Sequence, residues 1–136
     1  MNITGFGGTW RLVRERSDIP PVTKSQVLEI ETDGVRITMR ETLVNDADEV
    51  LRITVAAHLD GADYPVHGTP FADTVAYTPR GPVTIDGIAK KNGVVIVKET
   101  AELIEDGRAV RVTYQSVDAD GRAQVNHGFF ERVEPE

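Results

Sequence analysis

The sequence predicts an all-β chain: a single antiparallel up-and-down β-barrel of 8–10 strands closed around an apolar interior. Three observations predict it. Tight-turn dipeptides punctuate the chain at Asp33-Gly34, Asp60-Gly61, Asn92-Gly93, Asp106-Gly107 and Asp120-Gly121, with Asn45-Asp46 between the first two. Such pairs accept the positive φ angles of hairpin turns, and their spacing leaves room for strands of about eight residues. The segments between them alternate in polarity with period two, and no window carries a helical i, i+3, i+4, i+7 stripe of useful length. A meander of similar hairpins is best stabilised by closing on itself, which removes exposed edges. A β-sandwich is the alternative architecture.

The expected strands run over 8–15, 25–32, 35–44, 50–59, a short one near 63–67, 74–79, 83–91, 94–104, 109–117 and 123–133. The first opens at Gly8-Thr9-Trp10 and gives way to the only Pro-rich stretch, Ser17 to Thr23. In the third, Val35, Ile37, Met39, Glu41 and Leu43 share one face, opposite Arg36, Thr38, Arg40 and Thr42. The fourth sets Leu51, Ile53, Val55 and Ala57 against Arg52, Thr54 and Ala56; the ninth sets Val110, Val112 and Tyr114 against Arg111, Thr113 and Gln115. One dry and one wet face is the pattern of a half-buried antiparallel strand. Asp86-Gly87 breaks the turn spacing and is read as lying within a strand. No linker or composition shift divides the 136 residues, so residues 1–136 are expected to form one domain.

Composition narrows the function. A net charge of −7 with scattered basic residues argues against nucleic acid, which is bound by a basic stripe that displaces counterions. There is no cysteine, hence no disulfide, thiolate metal site or Cys nucleophile. No apolar run reaches the roughly 18–20 residues of a membrane helix, and Met1-Asn2-Ile3-Thr4-Gly5 has no signal-peptide character; no membrane insertion and a cytoplasmic location are expected. Phosphate and calcium loops fail on inspection. Gly5-Phe6-Gly7-Gly8 is followed by Trp10 and a strand instead of a helix, and Asp118-Ala119-Asp120-Gly121 would place Phe129 where a calcium loop needs glutamate. No metal and no cofactor are expected.

The run Gly8-Thr9-Trp10-Arg11-Leu12 with Ser17 resembles the opening of a group of small, mostly uncharacterised bacterial lipocalin-like (calycin-type) proteins. Similar to the same group are Asp60-Gly61-Ala62-Asp63-Tyr64-Pro65-Val66 with Gly68, Pro70 and Asp73-Thr74-Val75, then Lys90-Lys91-Asn92-Gly93, Glu105-Asp106-Gly107-Arg108 and Phe130-Glu131-Arg132. The resemblance implies a lipocalin-like barrel with Trp10 plugging one end and Arg132 lying over its indole. It leaves function open, since such barrels include carriers and enzymes. This chain departs from the pattern in carrying Ile104 where relatives have a small polar residue and His127 where they have an apolar one.

Candidate site residues follow from polar groups on apolar faces. Glu41 lies among Ile37, Met39 and Leu43, and Glu99 beside Val95, Val97 and Ala101; each must pair, protonate or sit near a barrel mouth. His127 alternates with Val125 and Phe129, which aims it inward if that face is dry. An inward His127 sends Arg132 outward, against the capping role, unless a β-bulge intervenes. His58 and His67 lack metal-spaced partners and are read as solvated. The expected ligand-binding set is Met39, Glu41, Ile53, Val55, Tyr77, Val97, Tyr114 and His127, with Glu41, Tyr114 and His127 as candidate catalytic groups. Leu28, Ile30, Ile37, Ile85, Val95 and Val112 complete the apolar interior. Aromatic residues are 6% of the chain, so few side chains are bulky enough to fill a wide barrel, which favours a real cavity. The expected partner is a small hydrophobic or amphipathic molecule, bound by a monomer or homodimer. The rival is a cofactor-independent cyclase or isomerase housed in the same cavity.

Overall fold

The computed structural model describes residues 3–19, 23–117 and 120–134. Ten strands carry the fold: β1 (Gly8–Leu12), β2 (Thr23–Thr32), β3 (Arg36–Asn45), β4 (Val50–His58), β5 (Tyr64–His67), β6 (Thr74–Pro79), β7 (Thr84–Lys91), β8 (Val94–Ile104), β9 (Ala109–Val117) and β10 (Ala123–Val133). Each pairs antiparallel with the next, and β1 pairs with β10 to close the ring. The sandwich alternative is thereby excluded. The 3-10 turns Ile3–Phe6, Arg14–Arg16 and Glu105–Gly107 complete the described elements. Among the described residues no helix is long and apolar enough to cross a membrane.

The turns form where the sequence supplies residues that tolerate them. Asn92 and Gly93 have φ of 52° and 79°, the paired positive values that let a two-residue hairpin follow strand twist. At Asp33-Gly34 the Asp33 carboxylate accepts the Val35 and Arg36 amides at 2.9 and 2.8 Å. Asp86-Gly87 lies inside β7 as expected, with Gly87 directly opposite Tyr77. Residues 118 and 119 of the turn before β10, and residues 20–22 of the Pro-rich stretch, lie outside the described residues.

The first strand is shorter than the pattern suggests. It ends at Leu12, and Arg14–Arg16 folds against the outside of β10. There the Val13 amide donates to the Phe129 carbonyl at 2.8 Å, Ser17 Oγ accepts the Phe129 amide at 2.9 Å, and the Arg16 guanidinium lies 3.5 Å from the Phe129 ring centroid.

The wall is uneven. The β2–β3, β3–β4 and β9–β10 ladders run nine partners each, whereas β5 holds β4 only through Thr54–His67 and Val55–Val66, and β6 only through Tyr64–Val75 and Pro65–Thr74. Just beyond β5, Gly68 packs against β4. Gly68 fits because a Cβ there would run into the Arg52 carbonyl.

One end of the barrel is plugged. Trp10, Phe6 and Phe130 are fully buried, and Trp10 Nε1 donates to the Phe6 carbonyl at 2.9 Å. The Arg132 guanidinium lies 4.2 Å from the Trp10 ring and donates to the carbonyls of Gly5 (2.8 Å), Gly7 (2.8 Å) and Gly107 (3.1 and 3.2 Å). Cation–π attraction and charge-assisted hydrogen bonds thus tie Ile3–Phe6, Glu105–Gly107 and β10 together. Gly8 is required beside this knot, since any Cβ would collide with the guanidinium.

Candidate functional site

Above the plug the barrel is hollow. A cavity of about 280 Å³ is lined by inward residues of β2 to β9, among them Leu28, Ile30, Ile37, Met39, Ile53, Val55, Ile85, Val97, Ala101 and Val112. It lies near the lower end of the roughly 300–1,000 Å³ typical of small-molecule sites. A second hollow of about 250 Å³ shares Gln26, Val97 and Tyr114 with it and continues to Ile19, Thr23, Ser116 and Asn126, at the end opposite the plug. Val66, Thr69, Phe71 and Ala72 also line the main cavity, and Phe71 is 68% exposed.

Six polar side chains interrupt this aliphatic surface: Thr69 at the edge, and Gln26, Glu41, Tyr77, Glu99 and Tyr114 on the strands. Sheet register explains their grouping. Tyr77 pairs with Gly87, Gly87 with Glu99, Glu99 with Tyr114, and Tyr114 with Asn126. One lateral row across β6–β10 therefore carries both tyrosines and one carboxyl. Glu41 lies on β3 between Leu28 and Ile53. In the ring order β1-β10-β9-β8-β7-β6-β5-β4-β3-β2, β3 and β8 are diametrically opposed, so the two carboxyls project from opposite walls.

Two glycines within strands make room for the tyrosine rings. A Cβ on Gly87 would lie 3.2 Å from Tyr77 Cε1, and one on Gly128 would lie 3.3 Å from Tyr114 Cε2. Side chains at these positions would displace the rings into the lumen.

Among the described residues, no lysine, arginine or histidine lines the cavity. Burial therefore acts on the carboxyls without a counter-charge. Desolvation, then the proximity of Glu99, raises Glu41 to about 7, against the lowering effect of the Gln26 amide. Desolvation raises Glu99 to about 7. Burial and the two glutamates push the Tyr77 and Tyr114 hydroxyls up as well. The Gln26 amide eases the rise at both the Glu41 carboxyl and the Tyr114 hydroxyl, whereas among the described residues no group eases it at Glu99. The tyrosines thus remain neutral hydrogen-bonding groups, and the carboxyls exchange protons near neutrality.

The structure brings together Met39, Glu41, Ile53, Val55, Tyr77, Val97 and Tyr114 in the cavity wall. His127 does not join them, which corrects the expectation that it faces inward. It pairs with Thr113 on the outer face; its backbone amide donates to Asp18, and its Nδ1 lies 3.2 Å from the same carboxylate. The dry character of Phe129 that suggested an inward face comes from its outside cover, Arg16, while Val125 is 54% exposed. Arg132 takes the inward place, and no bulge is needed. Val95 is a second correction. The register slips one residue between Ala89 and Lys90, pairing Ala89 with Val97 and Lys90 with Val95. The extra residue, Ile96, lines the cavity and Val95 turns out to solvent. Gln26 was missed, although it shares strand parity with Leu28 and Ile30. His58 and His67 are exposed as expected, with His58 stacked on Tyr64 at 5.9 Å.

No family model and no curated protein sequence matches this chain.

Proposed function

We propose that the protein binds a small hydrophobic or amphipathic molecule inside the barrel, as lipocalin-like carriers do. The observation that carries this reading is the cavity itself: a mainly aliphatic hollow with a few converging polar groups, plugged at one end and reached from the other. Such a surface orients a guest by its polar end while desolvating the rest. The Trp10–Arg132 contact agrees with the sequence resemblance and supports placing the chain in that group. The test is titration with 1-naphthylmethanol, read by naphthalene fluorescence and calorimetry. Saturable binding in wild type, lost in Ala101→Trp with the far-ultraviolet spectrum preserved, is expected. Absence of binding, or binding unaffected by filling the lumen, would overturn the reading.

A second reading, an acid–base catalyst such as a cyclase or isomerase, has one observation in its favour. Two buried carboxyls with pKa values near 7 are suited to giving and taking protons at neutral pH. Deprotonation of 5-nitrobenzisoxazole is a generic probe of such a base. A rate far above that of free acetate, removed by Glu41→Gln with Glu99→Gln, supports catalysis; a rate equal to acetate excludes it for this probe's proton-transfer chemistry.

A further inference from the structure

The described lumen contains two carboxyls, two tyrosine hydroxyls, one amide and the Thr69 hydroxyl, with no basic side chain among its lining residues. From the elements packed against Glu41, its inward neighbours are Gln26, Leu28 and Ile30 on β2 and Ile53 and Val55 on β4. Around Glu99 they are Ile85, Gly87 and Ala89 on β7 and Val112 and Tyr114 on β9, with Tyr77 one strand further on. None of these can neutralise a carboxylate. A folded chain that buries acids this way without a partner spends stability on them, because an unpaired buried charge is costly. Glu99 in particular is half-buried, lines the cavity and receives no hydrogen bond from the described residues.

We infer that the guest supplies the missing charge: its polar end is a protonated amine held between Glu41 and Glu99, so the site selects small basic amphiphiles over carboxylic acids. The inference rests on the cavity-binding reading above and names its ligand class. An ammonium group carries the donors that Glu99 lacks, and the Tyr77 and Tyr114 hydroxyls can accept its remaining hydrogens. Its apolar body meets Ile53, Val55, Ile85 and Val112. A fatty acid or other carboxylate would bring a third acid into the same unscreened space. A calcium ion, which takes about 6–8 oxygen ligands, finds too few here, and no group of three or more metal-binding side chains occurs among the described residues.

The test uses three isosteric probes: 1-naphthylmethylamine, 1-naphthylmethanol and 1-naphthoate. At pH 8 the amine should bind at least about tenfold more tightly than the alcohol, and the alcohol at least about tenfold more tightly than the carboxylate. Between pH 6 and pH 8 the amine's affinity should rise as the carboxyls ionise, whereas the alcohol's should not. The Glu41→Gln, Glu99→Gln double variant, which preserves side-chain volume, should lose the preference for amine over alcohol. Alcohol bound as tightly as amine in wild type at pH 8 would overturn the inference and leave the cavity reading standing. Failure of all three probes to bind would overturn both.

Discussion

At the Trp10 end of the barrel, the polar side chains brought inside meet partners among the described residues. The indole N–H finds the Phe6 carbonyl, and the Arg132 guanidinium spreads its donors over three glycine carbonyls. A few residues higher, Glu41 has the Gln26 amide and Glu99 no donor from the described residues. The two regions share a sheet and differ in how burial is compensated. Satisfied polar groups make the plug a source of stability, while the lumen holds carboxyls whose burial is unfavourable. Burial at the plug and burial in the lumen are thus told apart by their hydrogen bonds, not by their depth.

The sharpest way to break this contrast is at the plug. Trp10→Ala should lower unfolding free energy by about 3–5 kcal/mol, the range for emptying a large aromatic site, measured by urea denaturation at pH 7. A loss below about 1 kcal/mol would mean that the plug is not what holds this end together.

The lumen should show the opposite sign. A carboxyl whose folded pKa is raised binds more protons in the native than in the unfolded state, so stability falls as pH rises from the unfolded value near 4.5 through about 7 and levels off above. The expected loss is on the order of 1–3 kcal/mol for each carboxyl between pH 5 and pH 8. Glu41→Gln with Glu99→Gln should flatten that slope and leave the protein more stable than wild type at pH 8. Asp18, Asp33, Asp60, Asp73 and Asp86, all shifted downward by hydrogen bonds, act in a separate window. Their contribution is lost only as pH falls through their lowered values. A slope that persists in the double variant would place its origin elsewhere. The smallest effect belongs to His127. Its replacement by alanine should leave 1-naphthylmethanol affinity within about twofold, because the ring lies on the outer wall; a tenfold loss would contradict the assigned facing.

The strands were legible because Asp-Gly and Asn-Gly turns and period-two alternation are local signals. So was much of the lumen: Met39, Glu41 and Ile53 face inward by simple counting from the turn at Asp33-Gly34. The misreadings occur where a non-local contact overrides the count. Phe129 looks like a core residue because Arg14–Arg16 returns to cover it from outside, and that return cannot be read from the β10 residues alone. Val95 and Ile96 exchange faces at a one-residue bulge that no turn residue announces. Glu99 was flagged by its neighbours, yet its relation to Glu41 depends on ring closure, which sets β3 and β8 facing one another.

The short β5 has a consequence for local opening. With two residue pairs on each side, it is the seam of the cylinder that separates at least cost. The nine-pair ladders elsewhere keep the remaining staves registered while it parts. Hydrogen exchange should therefore begin at Tyr64–His67.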